Sequence, residues 1–263
     1  MIEEIVVRSL GDLIEKVTPE DPDPATGRRR SMGVYRGSAD AARQLFTSLD
    51  RLGGGKPHAK RTLESHILRN FARQSRPHVG SATDEWELLF AAQHHGVPTR
   101  LLDWTYSPLV AAHFATGSPS AAGARVVWRL DWRAVHRRFG FPELALFTSD
   151  LDATLNDGRG TMTPWALFDE WPRERAFACM VEPPSLDARI VVQSAVFTLT
   201  SDTTCSFDEF LERHGLQDAL TRFVIAADDV ALVRDQLDLV GMDERRLFPD
   251  LDGVAAGLRR YYS

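Results

Sequence analysis

The sequence predicts a single α+β domain, with a central, mostly antiparallel sheet flanked by helices. Two observations carry this. Segments with period-two apolar alternation and segments with 3.6-residue periodicity are interspersed along the whole chain rather than gathered into separate halves. With 263 residues, 43% hydrophobic and 26% charged, the chain can also close a full core without disulfide or metal staples. Neither an internal repeat nor a low-complexity segment interrupts it.

Charge and cysteine content narrow the function classes. Lys and Arg number 31 against 37 Asp and Glu, a net charge of −6, which argues against broad nonspecific nucleic-acid binding. Cys179 and Cys205 lack metal-ligand spacing and point to a reducing compartment. The opening Met1-Ile2-Glu3-Glu4 is acidic where a signal peptide is basic, and no run approaches the roughly 20 apolar residues of a membrane span. A cytoplasmic protein without membrane contact is the expectation.

From the N-terminus, Glu4 to Arg8 reads as a strand, and Leu10, Leu13, Ile14 and Val17 mark one face of a helix. Pro19 to Arg30 is a loop whose triple arginine reads as solvated surface. Gly33 to Gly37 is a first core strand. Within it Gly37 permits close backbone approach, and Arg36 offers a fork that suits a phosphate, a carboxylate or structural carbonyls equally. Gly53-Gly54-Gly55 is a linker that lacks the Lys-Ser/Thr of a P-loop. Leu63, Ile67, Leu68 and Phe71 define a helix over 58–74, followed by a loop to Thr83.

The stretch from Ala91 to Pro108 then sets polar side chains among the most apolar ones, as a ligand site held by regular structure requires. Asp84 with Glu87 fits a capping box, and Trp86, Leu89 and Phe90 mark a face that carries Gln93 inward. There Gln93 serves either as a core amide tying loop to sheet or as a ligand contact. His94 and His95 fall in the last turn before Gly96 and Pro98, and adjacent histidines diverge by about 100° on a helix, which disfavours a shared metal. His95 is the candidate general base, since imidazole titrates near neutrality.

Thr99 to Thr105 reads as a strand with Arg100, Leu102 and Trp104 on one face and Thr99, Leu101, Asp103 and Thr105 on the other. Arg100 and Asp103 therefore need not pair, and belong either to the site or to a polar lattice beneath the sheet. Ser107 and Pro108 open the next helix, whose N-terminus directly after a strand suits an anion. Ala121 to Gly123 is a small-residue turn, 124–130 a strand, and Asp131 caps a basic helix ending near Gly140.

From Phe141 to Arg175 the pattern weakens, with a turn at Asn156-Asp157-Gly158 and a short helix after Thr163-Pro164. Strands follow at 176–181, 189–192 and 196–199. A helix runs from Ser206 to about 213, a strand from Phe223 to Ala227, and Asp228 caps a helix with Val230, Val233, Leu237 and Val240 inward.

These motifs together resemble the FRG domain, named for its Phe/Tyr-Arg-Gly signature. The resemblance rests on Val34-Tyr35-Arg36-Gly37, on Trp86 with Leu88-Leu89 leading into the run from Gln93 to Thr105, and on Ala111-Ala112-His113-Phe114-Ala115. Arg189-Ile190 with Gln193 and Phe197 resembles the family's later Arg-Ile and Gln-x-Gly-x-Phe segment, and Leu247 to Leu251 its ending. So read, the domain spans 30–255, between an N-terminal strand, helix and loop (1–29) and a C-terminal tail (256–263). Ala195 stands where the family has Gly, so a different local loop is expected if that Gly serves a positive φ.

The order of motifs is similar to that of ADP-ribosyltransferases, and this analogy implies a split sheet with NAD as substrate and no metal. Arg36, His95, Asp103 and Gln193 would be catalytic. Tyr35, Arg36, Gly37, Gln93, Thr99, Arg100, Thr105 and Ser107 would hold the nucleotide. The protein would act on a macromolecular target as a toxin or defence effector. Gln193 falls where the transferases use a carboxylate, and an amide meets developing positive charge only with a dipole. Glu64, Glu87, Asp103 and Glu182 are the acids that could substitute, and of these Asp103 is placed by the motif itself. The alternative is a noncatalytic module that binds a nucleotide or similar anion.

Overall fold

The computed structural model describes residues 1–52, 57–77, 84–117, 123–155, 162–170, 176–185 and 187–262. Its strands are β1 (Glu3–Val7), β2 (Val34–Ser38), β3 (Leu102–Thr105), β4 (Arg125–Leu130), β5 (Ala178–Val181), β6 (Ala195–Thr200) and β7 (Leu220–Ile225). Its helices are α1 (Leu10–Val17), α2 (Pro57–Ser75), α3 (Glu85–His94), α4 (Pro108–Thr116), α5 (Trp132–Phe139), α6 (Thr148–Leu155), α7 (Ala188–Val192), α8 (Phe207–Arg213), α9 (Val230–Leu239), α10 (Glu244–Leu247) and α11 (Leu251–Tyr261). The Gly53–Gly55 linker, the turn at 156–158 and most of the 76–83 loop lie outside the described residues, as do Ala121 and Ala122.

The strands form one seven-stranded sheet in the order β1-β7-β4-β2-β3-β6-β5, and only the β1–β7 pair is parallel. The expected α+β architecture is thus observed. At its centre β2 and β3 share a single register pair, Tyr35 with Thr105, whereas β2 pairs with β4 over five residues and β3 with β6 over four. The ladder is therefore nearly interrupted between β2 and β3.

Helices cover both faces. On one, α1, α4 and α9 bury Leu10, Leu13, Ala111, Ala112, Ala115, Val233 and Leu237 against Tyr35, Val127 and Phe223. On the other, Trp104, Trp128, Leu130, Phe207 and Phe210 form a second core. Trp86, Phe90, Phe168, Phe177 and Phe197 form a third beneath β5 and β6, on the same face as the first, since Tyr35 pairs with Thr105 and Asp103 with Phe197. No described helix is long and apolar enough to cross a membrane.

The helix caps follow the sequence closely. Asp84, Ser107, Asp131 and Ser206 each accept a hydrogen bond from a first-turn amide of α3, α4, α5 and α8. Other expectations are corrected. Residues 189–192 belong to the helix α7, begun by Asp187, whose side chain accepts from the Arg189 amide. Strand β7 begins at Leu220, three residues early. Asp228 lies in a 3-10 turn, so the residue before α9 is Asp229, and Val240 at its C-cap is 53% exposed rather than inward. Of 99–105 only Leu102–Thr105 is strand; Thr99 is instead held by Ser48, whose hydroxyl accepts from the Thr99 amide at 3.1 Å. Residues 256–261 lie within α11.

Candidate functional site

Where the ladder lapses, a cleft of about 350 Å³ opens between the two halves of the sheet. That is within the usual range for a small-molecule site. Strand β2 contributes Tyr35, Arg36 and Gly37; β3 contributes Asp103, Trp104 and Thr105; the end of α3 contributes Gln93 and His94. Val110, Phe114, Ile190 and Phe197 make the apolar wall, and Arg189 and Gln193 close the far side.

The motif residues form one hydrogen-bonded chain. Arg36 donates from Nη1 to the Asp103 carbonyl at 2.6 Å and reaches the Asp103 carboxylate at 3.4 Å. Gln93 donates from Nε2 to the other carboxylate oxygen at 2.8 Å and accepts from the Thr99 hydroxyl at 2.6 Å. Gln93 thus ties helix to strand while still lining the cleft. Asp103 remains 54% exposed on its side chain, so it is positioned on one side and open to a ligand on the other.

Gly37 has a definite steric reason. A Cβ there would lie 2.0 Å from the Ala111 carbonyl oxygen and 2.5 Å from the Ala115 amide nitrogen. Helix α4 therefore crosses β2 in backbone contact, which only Gly permits. Arg36 sits beside this crossing and so is placed by a contact its neighbour makes possible.

Of the other expected site residues, Thr105 and Gln193 line the cleft, whereas Thr99, Arg100, Ser107 and His95 do not. Arg100 is 2% exposed and paired with Glu64, which is fully buried: their closest approach is 2.6 Å and the Arg100 amide donates to Glu64 at 2.8 Å. Its guanidinium lies 3.8 Å from the Phe168 ring centroid. Arg100 and Asp103 are thus unpaired with each other, as the alternation implied. Ser107 caps α4, and Thr105 donates to the Gln193 carbonyl at 2.6 Å while accepting from the Ser107 amide at 3.0 Å. His95 is exposed at the C-cap of α3 and does not line the cleft.

Gln193 is the C-cap of α7, not a strand residue, and its side-chain amide donates to the Leu247 carbonyl at 2.9 Å. The residue with positive φ in the next turn is Ser194, at 49°, while Ala195 is already extended in β6. At Ala195 the departure from Gly therefore carries no backbone strain. Of the alternative acids, Glu182 accepts from the Tyr106 hydroxyl, and neither it nor Glu87 or Glu64 lines the cleft. Asp103 is the one carboxylate among the described lining residues.

Two side chains not named as site residues from the sequence stand in it. His94 lies with Nε2 3.5 Å from the Asp187 carboxylate, and partial burial pushes its pKa below the usual value while that carboxylate opposes the shift. Arg189 stacks its guanidinium 4.8 Å from the Phe248 ring centroid, and its buried Nε has no partner among the described residues. Reading 189–192 as a strand hid both the role of α7 and its cap. Among the described residues no group of three metal-ligating side chains is assembled.

Residues 31–123 match the model of the FRG domain, a stretch containing β2, α3, β3 and α4 but ending before Arg189 and Gln193. No curated protein and no solved structure matches the chain. The motifs that the family model covers are those that meet across the interrupted ladder, and the chain carries an FRG domain over residues 31–123.

Proposed function

We propose that the cleft binds NAD and that the protein is an ADP-ribosyltransferase acting on a macromolecule, in the manner of a toxin or defence effector. The observation that carries this reading is the charge arrangement: two guanidinium groups, Arg36 and Arg189, face one cleft in which, among the described residues, Asp103 is the single carboxylate. Arg36 keeps Nη2 and Nε beyond the Nη1 committed to Asp103, and with Arg189 it suits a pyrophosphate, for which planar guanidinium forks are well matched. Phe114 and Phe197 offer apolar surface to a base or nicotinamide ring.

In such a transfer the bond between nicotinamide nitrogen and ribose C1 breaks, with its electron pair leaving on nicotinamide, and the acceptor's nucleophilic atom bonds to C1. Asp103 opposes the positive charge that develops on the ribose. His94 lines the same cleft and is the base to which the acceptor's proton passes; its lowered pKa keeps the imidazole unprotonated at neutral pH.

Incubation with radiolabelled NAD tests the reading. Wild type is expected to release nicotinamide and transfer label to a target, with Asp103→Asn losing at least a hundredfold in rate, the scale set by removing one electrostatic stabiliser. Unchanged turnover in that variant overturns the assignment. A second reading, a noncatalytic nucleotide-binding module, is favoured by Gln193, whose amide is committed to Leu247 and leaves that position without a carboxylate. It predicts NAD binding without nicotinamide release.

A further inference from the structure

A second hollow adjoins the cleft across Arg36. It measures about 250 Å³, and its walls include Arg36, Ser38, Arg43, Gln44, Arg51 and Trp128. Among the described residues three guanidinium groups line it and no carboxylate does. The nearby acids are engaged elsewhere: Asp50 accepts from Thr47 at 2.8 Å and pairs with Lys60 at 3.4 Å, Asp40 accepts from the Ala42 amide at 2.9 Å, and Asp103 is held by Arg36 and Gln93.

Among the described residues Arg43 has no side-chain partner, and Arg51 bonds only the Phe46 carbonyl, at 2.9 Å. Trp128 is 3% exposed, yet its indole N–H has no acceptor among the described residues. Arg43 and Arg51 are open to solvent, but the buried Trp128 N–H is an unsatisfied donor, and converging like charges beside it favour an anion in the space between them. Consistent with this crowding, partial burial and the charges of Arg36 and Arg43 push the Arg51 guanidinium below its usual pKa.

We propose that this hollow is a phosphate subsite, taking a phosphomonoester carried by the same nucleotide whose pyrophosphate lies in the cleft. Arg36 lines both spaces, so one ligand with two separate phosphate groups can engage it from either side. Three forked cations match the three terminal oxygens and double charge of a phosphomonoester better than the two oxygens of a carboxylate. The preferred ligand class is therefore a dinucleotide bearing an additional ribose phosphate. This rests on the cleft binding a nucleotide.

Titration calorimetry at one fixed, low ionic strength separates the possibilities, with NAD, NADP and inorganic phosphate as probes of wild type and Arg43→Ala/Arg51→Ala. Wild type is expected to bind NADP at least roughly tenfold more tightly than NAD, as charge-assisted hydrogen bonds to the extra phosphate require. The double variant is expected to lose that advantage while keeping its affinity for NAD. Equal affinities in wild type, or an advantage that survives in the variant, overturn the subsite. Should neither dinucleotide bind, the cleft reading fails, and inorganic phosphate then decides the hollow alone: binding lost in the double variant upholds an anion site, and absence of binding removes it.

Discussion

Glu64 and Arg100 show how far a side chain's role depends on which way it faces. Both are polar, both lie close to the motif, and both could be taken for site residues, yet they form a buried pair outside the cleft. Removing one member leaves the other charge without compensation, so Glu64→Ala is expected to destabilise the protein by about 3–5 kcal/mol in denaturant titration. A loss below about 1 kcal/mol would mean that water reaches Arg100 and the pair is not closed. Gly37 makes a comparable demand through backbone. Gly37→Ala must push α4 away from β2, at a cost of about 1–3 kcal/mol or more, and unchanged stability would show that the helix approaches less closely than described. Gly37 and the alternation that turns Arg100 away from Asp103 were legible in the sequence. The pairing of Arg100 with Glu64 was not, because it joins residues 36 apart through the fold and no local spacing encodes it.

At the scale of elements, capping chemistry was the most readable signal, since a cap is a contact within three or four residues of chain. Helix α7 runs against its local signal: Arg-Ile-Val-Val is short and β-branched, yet the Asp187 cap and the tertiary contacts of Gln193 outweigh that propensity. Helices α10 and α11 are held by pairs that the sequence does not announce: Arg234 meets Glu244 at 2.6 Å, and Arg260 bridges Glu244 and Asp238 at 2.9 and 2.5 Å. Gln193→Glu would set a carboxylate against the Leu247 carbonyl, and about 1–3 kcal/mol of stability is expected to go with the lost hydrogen bond. The same network reaches α4. Arg234 donates to His113 Nδ1 at 2.9 Å, and burial, reinforced by that guanidinium, pushes the His113 pKa down to about 4. The unfolded chain therefore binds a proton near pH 6.5 that the folded protein refuses until about pH 4, so stability falls as pH drops through this window, by up to about 3 kcal/mol. His94 and His136 are shifted the same way. Denaturant midpoints between pH 7 and 4 are expected to slope less steeply in His113→Gln, and an unaltered slope would exclude His113 as a source of the dependence.

On the scale of the whole molecule, the cleft and the weakest seam of the sheet coincide. Tyr35 and Thr105 alone pair β2 with β3, so the two halves depend on helix packing and on the Arg36–Asp103 contact to stay aligned. A ligand spanning Arg36 on one half and Arg189 on the other would bridge that seam, and it would bind only when both halves are in place. Stabilisation by mass action is then expected, about 2.7 kcal/mol at a free ligand concentration a hundred times the dissociation constant. The seam adds a further expectation: the ligand should slow hydrogen exchange most for backbone amides of β2 and β3, because openings that separate the halves are the ones it suppresses. Protection spread evenly over all seven strands would indicate that the sheet already opens as one unit. Protection confined to α7 and the segment around Phe248 would place the ligand on Arg189 alone, with Arg36 left as a structural clasp for Asp103.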